Sequence, residues 1–212
     1  MIIVFLGPPG SGKGTQAEIL REDHGFEHFD TGSRLRAEIA TGSDLGQRIA
    51  SFTNEGKLVP IEIIKEMIQK FIRETKAERI MFDGFPRNRE QAQVMDEALK
   101  ELGDDLDYAI YLEIDEDNLL QRIINRRFDK ETGEIYNLVS SPAEKIAELK
   151  AADRLIQRKD DTEEVFGTRL KVYAEETVPV LDFYREQGVL NKIDGDHDIE
   201  VVAQNVKKLL GL

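Results

Sequence analysis

Apolar and polar positions follow two rhythms along this chain. Short, nearly continuous apolar runs mark buried strands, and longer stretches with apolar residues every three or four positions mark helices packed on one face. Ile2–Leu6 is the first apolar run, and an amphipathic segment from Gln16 to Arg21 follows it across a glycine-rich turn. Phe26–Phe29 predicts a second strand ending at Asp30-Thr31-Gly32, a turn and helix-start signal, because an aspartate side chain can accept from the free N–H groups of a first turn. A helix over Ser33–Ala40 breaks at Thr41-Gly42-Ser43, and a second runs from Asp44 to about Asn54 before Gly56 stops it. Residues 30–59 therefore form a small helical insertion. Pro60 opens a helix whose apolar positions Ile61, Ile64, Ile68 and Phe71, with Ile72 beside them, recur at helical spacing. Arg79–Phe82 reads as a buried strand ending in Asp83-Gly84-Phe85-Pro86-Arg87, and a further helix starts near Asn88. Tyr108–Ile114 is the next strand, and Asp115 caps a helix with Leu119, Leu120, Ile123 and Ile124 on its apolar side.

From Phe128 to about Gln157 this alternation stops, which predicts a second insertion. Within it Ser141-Pro142-Ala143-Glu144 has the form of a capping box with proline at the first helical position, and Ile146, Leu149 and Ile156 leave an apolar stripe. A long helix from Asp161 to Gln187, bent near Pro179, then leads to a last strand, Val189–Ile193, and a closing helix, Asp198–Leu210. Five strands alternating with helices predict an α/β fold of three layers, a parallel sheet covered on both faces, with ligands at the C-terminal ends of its strands.

A length of 212 residues suffices for one sizeable core with room for such insertions. A net charge of −13 argues against a broad surface for nucleic acid or an anionic membrane. With no cysteine the chain has no thiolate chemistry, disulfide or cysteine-type zinc site, which suits a reducing cytoplasm. The five apolar residues at the start are too few for a signal-peptide core, and no apolar run is long enough to span a bilayer. No feature demands an oligomer, so a monomer is expected.

Against that acidic background the turn Gly7-Pro8-Pro9-Gly10-Ser11-Gly12-Lys13-Gly14-Thr15 fits G-x-x-x-x-G-K between a strand and a helix. Glycines there let consecutive backbone N–H groups converge on one anion, and the helix N-terminus adds its dipole. Lys13 would sit on the outer phosphates. Gly14 stands where a Ser or Thr is usual, with Thr15 one place later. Three more polar clusters follow strands: Asp30-Thr31-Gly32, Asp83–Arg87 and Asp194-Gly195-Asp196. The order Asp83-Gly84-Phe85 is not the Asp-Phe-Gly of protein kinases. Asp83 could hold Mg²⁺ through water or serve as a strand-end cap. Arg122 and Arg126, four apart on one predicted helix face, would repel unless an anion lay between them. With Arg36, Arg87, Arg158 and Arg169 they could form a cationic ring, whereas Arg21, Arg34, Arg73, Arg127 and Arg185 read as surface charges. Asp160-Asp161 either orients that ring or favours the start of the next helix. His24, His28 and His197 lack metal-ligand spacing.

With these residues assembled, the chain resembles the adenylate kinase family, the long-lid form of nucleoside monophosphate kinase, nearly end to end. The resemblance rests on GPPGSGKGT, DTGSRLR at 30–36, GKLVP at 56–60, DGFPR at 83–87 with Gln91, RIINRR at 122–127, QRKDD at 157–161 and Arg169. It implies Mg²⁺-dependent, reversible phosphoryl transfer from ATP to AMP, giving two ADP. It also implies a P-loop core of residues 1–29, 60–124 and 162–212, an insertion at 30–59 that binds the monophosphate, and a lid at 125–161. On the donor side Gly10, Ser11, Gly12, Lys13, Gly14 and Thr15 would hold the ATP phosphates, Arg122 and Arg126 would grip them from the lid edge, and Ile135, Tyr136 and, more weakly, His197 would approach the adenine. On the acceptor side Thr31, Arg36, Lys57, Leu58, Val59, Gly84, Phe85, Pro86, Arg87 and Gln91 would bind AMP, with Arg158 and Arg169 bridging both substrates. Lys13, Arg87, Arg122, Arg126, Arg158 and Arg169 are the expected catalytic set.

The chain departs from the family pattern in its lid. It lacks the cysteines of zinc-bearing members, so no structural zinc is expected, and Asn137-Leu138-Val139-Ser140-Ser141-Pro142 replaces the common F-N-P-P version. The segment after it reads as a helix where relatives usually carry a small sheet. Three alternatives stay open: another nucleoside monophosphate kinase, an AMP kinase using GTP as donor, and an ATP/AMP-sensing module without turnover. Thr31 and the long lid favour AMP over UMP or CMP, and the full arginine set favours catalysis.

Overall fold

The computed structural model describes residues 1–212 apart from Lys76 and Leu102, and of Glu66 and Gln69 only the backbone. Its first half runs β1 (Ile2–Leu6), α1 (Lys13–His24), β2 (Glu27–Asp30), α2 (Thr31–Ala40), α3 (Asp44–Thr53), α4 (Ile61–Glu74), β3 (Ile80–Asp83), α5 (Arg89–Glu101), β4 (Tyr108–Glu113) and α6 (Glu116–Ile124). There follow β5 (Arg126–Asp129), β6 (Ile135–Asn137), α7 (Ala143–Ala151), β7 (Leu155–Ile156), α8 (Glu163–Val172), a π-helical turn (Tyr173–Thr177), α9 (Val178–Glu186), β8 (Leu190–Asp194) and α10 (Ile199–Leu210).

Five parallel strands stand in the order β2-β3-β1-β4-β8, with Ile3 of β1 level with Met81 on one side and Tyr108 on the other. All five residues of β1 are buried. Their side chains alternate between two cores, as the period of two in a strand requires. Ile2, Val4 and Leu6 pack with Phe71, Met95, Leu99 and Tyr184 beneath α4, α5 and α9, while Ile3 and Phe5 pack with Ala17, Leu20, Val202 and Val206 beneath α1 and α10. A central strand covered on both faces has to read as an unbroken apolar run, and Ile2–Leu6 does. No helix among the described residues is long and apolar enough to cross a membrane.

The caps predicted at Asp30 and Asp115 are present, accepting from the N–H groups of Ser33 and Asp117. The α2–α3 pair crosses so closely at Gly46 that a Cβ there would come within 2.5 Å of the Glu38 carbonyl.

The segment expected as a helix-bearing insertion without strands is different in kind. The short strands β6, β5 and β7 form an antiparallel sheet in that order, and α7 is present alongside it. Ser141 does not cap α7: its hydroxyl accepts from the Asn137 N–H at 2.9 Å, and Pro142 stands at the cap. Ile146 and Leu149 are buried as the stripe required, but Ile156 lies on β7, 45% exposed. Arg126 opens β5, after α6 has ended at Ile124, so it does not share a helix face with Arg122. The single bent helix expected over 161–187 is α8, the π-turn and α9. Pro179 near the start of α9 has no N–H to offer the Glu175 carbonyl, and the ladder widens just before it.

Candidate functional site

The turn from β1 into α1 crosses the C-terminal end of the central strand. At Gly7, with φ +147°, a Cβ would lie 2.7 Å from Ser11 Oγ and 2.9 Å from the Leu112 carbonyl, so only glycine lets the loop lie flat on β4. The first helical bond runs from Gln16 N–H to the Gly12 carbonyl at 3.1 Å. The N–H groups of Lys13, Gly14 and Thr15 therefore lie ahead of the helical ladder, available to an anion. Lys13 Nζ donates to the carbonyls of Gly7 (2.8 Å) and Pro8 (3.0 Å) and to Ser11 Oγ (3.2 Å), all within the loop itself. Burial pushes its ammonium down to about 8, with Asp83 opposing and Arg87, Arg169 and Arg126 adding to the shift.

The loop floors a cleft of about 940 Å³. Gly10–Thr15, Arg36, Asp83, Gly84, Pro86, Arg87, Arg122, Arg126, Ile135, Tyr136, Arg158, Arg169 and His197 all line it, so the structure brings most of the predicted site together. Carboxylates aim several of the cations. Asp161, 1% exposed, accepts from Arg126 Nε at 3.0 Å and from a second Arg126 nitrogen at 2.5 Å, and Asp160 accepts from Arg169 at 3.1 Å. The guanidinium carbon of Arg158 stands 3.7 Å from the centre of the Phe128 ring, and that of Arg126 stands 5.5 Å from it. Burial and the nearness of Arg36 and Arg126 push Arg158 down to about 9, and burial with Arg87 pushes Arg169 down to about 10. Both guanidinium groups stay charged at neutral pH, and their crowding is what an arriving anion relieves. Arg122 donates to the Gly195 carbonyl at 3.2 Å and lies 3.5 Å from Asp196. His197 pairs with Asp194 at 3.3 Å rather than with a metal set, and no group of three or more potential metal ligands occurs among the described residues. Arg34, read from the sequence as a surface charge, is exposed and also lays its guanidinium over Phe29 and Phe71 at 4.7 and 4.8 Å.

A side pocket of about 30 Å³ is lined by Thr31, Lys57, Leu58, Val59, Gly84, Phe85, Arg87 and Gln91, and it meets the cleft at Leu58, Gly84 and Arg87. Thr31 is 3% exposed, and its hydroxyl has no hydrogen-bond partner among the described residues. Gln91 accepts from the Arg87 N–H at 2.7 Å through its carbonyl oxygen, which leaves its amide nitrogen for a ligand. Lys57 is the outlier, 63% exposed and paired with Glu55.

Sequence reasoning missed several lining residues. Val139 and Ile199, 78% and 51% exposed, are apolar residues of the cleft lining. Tyr173 and Thr177 also line it, brought there by the π-turn, and the one sequence signal for them was Pro179 just beyond.

A strand-loop-helix phosphate cradle at the switch point of a parallel sheet, facing six arginines and joined to a second pocket, defines a nucleoside monophosphate kinase. Residues 5–189 match the family model described as adenylate kinase. An adenylate kinase of Thermosipho melanesiensis is 40% identical over 212 residues, covering 99% of each chain. One of Archaeoglobus fulgidus is 37% identical over 99% of this chain and 98% of its own, and one of Bacillus licheniformis is 39% identical over 100% and 98%. The chain belongs to the adenylate kinase family.

Proposed function

We propose that this protein transfers the γ-phosphoryl group of ATP to AMP, reversibly, giving two ADP, with both nucleotides in the large cleft and AMP at the end that opens onto the side pocket. The observation that carries this is the position of Arg87, which lines both cavities while Lys13, Arg126, Arg158 and Arg169 converge on the larger one. Phosphoryl transfer passes through a loose transition state, so alignment and charge neutralisation are the work required and no protein nucleophile is needed. In this reading the loop Gly10–Thr15 holds the donor phosphates through the N–H groups of Lys13, Gly14 and Thr15 and the Lys13 ammonium, with Arg122 and Arg126 gripping from the lid side. Arg36 and Arg87 hold the acceptor phosphate, and Arg158 and Arg169 span the two. Thr31 Oγ1 and the Gln91 amide fit as hydrogen-bonding groups for the acceptor base. Residues 30–59 and 125–161 act as the two insertions that close over the site and exclude water.

Asp83 fits a magnesium site. Its carboxylate lines the cleft, accepts no hydrogen bond among the described residues and would lie 3.5 Å from a Cβ at Gly14, so the glycine leaves room between carboxylate and phosphates. Burial raises its pKa and the Lys13 charge opposes that rise. Asp83 would hold Mg²⁺ through water, and the ion would supply positive charge against the phosphates. The protein is expected to act as a monomer in the cytoplasm.

The test is ADP formation from ATP and Mg²⁺ with AMP, GMP, CMP or UMP in turn, and with GTP as alternative donor. Rapid turnover confined to ATP and AMP is the expected result. Turnover with UMP or CMP would overturn the acceptor assignment.

A further inference from the structure

We infer that Thr177 is a positioning residue for Arg87, and that the π-turn exists in the α8–α9 rod to bring it there. Three hydrogen bonds fix Arg87. Its N–H donates to Gln91 Oε1 at 2.7 Å, its own Nε donates to the Gly84 carbonyl at 2.7 Å, and its carbonyl accepts from Thr177 Oγ1 at 2.7 Å. The first two come from the loop and helix that follow β3. The third comes from an element ninety positions further along the chain and is the only one of the three that ties Arg87 to the rod carrying Arg169. Thr177 is 7% exposed, so an unpaired carbonyl opposite it would be poorly placed to find water.

Helix geometry explains the π-turn. Arg169 and Thr177 are eight positions apart, which in an unbroken α-helix leaves them about 80° apart around the axis, at about 100° per residue. One extra residue taken up in a π-turn removes about 100° of that rotation and brings the two to within about 20°. Both side chains line the cleft. A continuous α-helix would turn the Thr177 hydroxyl away from Arg87, and Arg87 and Arg169 would lose their common reference. The order of these two guanidinium groups is therefore set by one rod, through a direct side chain at Arg169 and a hydrogen bond at Thr177.

The inference rests on the assignment of Arg87 to the acceptor phosphate, and the experiment separates the two. Steady-state kinetics are measured for Thr177→Val, Thr177→Ser and Arg87→Ala, with urea-unfolding midpoints for each. Valine keeps the shape and removes the donor. Thr177→Val is expected to raise KM for AMP about three- to tenfold while KM for ATP stays near the parent's, and Thr177→Ser is expected to restore the parent's values. A Thr177→Val protein with the parent's KM for AMP and kcat would overturn the inference, and so would a Thr177→Ser protein as impaired as the valine variant, which would assign the effect to the methyl group. Near-normal turnover in Arg87→Ala would instead overturn the role of Arg87 itself.

Discussion

Lys13 illustrates at the scale of one residue how this site holds a charge before it is used. Its ammonium is surrounded by the loop's own acceptors, yet burial depresses it to about 8 from a usual 10.5. Between those two values the unfolded chain binds a proton that the folded chain does not, so the stability linked to this group rises with pH across that window. Below about 8 both states are protonated and the cost of burying the cation is fully present. Lys13→Met is therefore expected to be more stable relative to the parent near pH 7 than near pH 10, read from urea-unfolding midpoints at the two values. An advantage that grows with pH would contradict the assignment. Turnover of the same variant is expected to fall roughly 100-fold or more, measured as ADP formation. The residue's place was legible because glycines and a lysine between an apolar run and a helix have few other uses. That Arg34 stacks on Phe29 and Phe71 was not, since a single arginine carries no periodic signal.

Elements differ in how much of their own geometry the sequence states. The five core strands are apolar runs and the long helices carry apolar stripes, so both can be read locally. Arg126–Asp129, Ile135–Asn137 and Leu155–Ile156 are two to four residues long, too short for a period to show. What assembles them is non-local. Asp129, 2% exposed, accepts from two of the three Arg154 nitrogens, one at 2.9 Å, across 25 positions, and Lys130 pairs with Asp153 beside it. The hydrogen bond from Arg154 holds the Asp129 carboxyl at about 2, below the usual 3.8. The pair's contribution is thus complete above the usual value and is lost as pH falls through about 2. Asp129→Asn at neutral pH is expected to speed amide exchange in β5, β6 and β7 while β1, β3 and β4 keep the parent's protection, measured by hydrogen exchange. Equal loss of protection in the core strands would show that the pair does not act locally. Arg126 was read as a helix residue because its spacing from Arg122 is helical, and only the end of α6 at Ile124 reveals it as the start of a strand.

On the scale of the whole molecule, a chain of net charge −13 gathers six of its fifteen arginines into one cleft. The two insertions that the proposal has close over that cleft can be followed directly, because the chain contains no cysteine and any introduced pair is unique. Labels on Ser51→Cys in α3 and Ala147→Cys in α7, both at exposed positions, report their separation. The distance is expected to shorten when ATP, AMP and Mg²⁺ are all present and to shorten less with either nucleotide alone. A distance insensitive to both nucleotides would contradict closure.

Asp160 and Asp161 have one further consequence. Each already answers a cation of the cleft, Arg169 in the first case and Arg126 in the second. Under the proposed assignment, a phosphate reaching those arginines trades places with a resident carboxylate instead of meeting a bare cation. The cleft is in this sense partner-buffered: the two arginines have an answering carboxylate whether or not a nucleotide is bound. An enzyme that must release two products resembling its substrates is served by a site whose grip has a ready substitute.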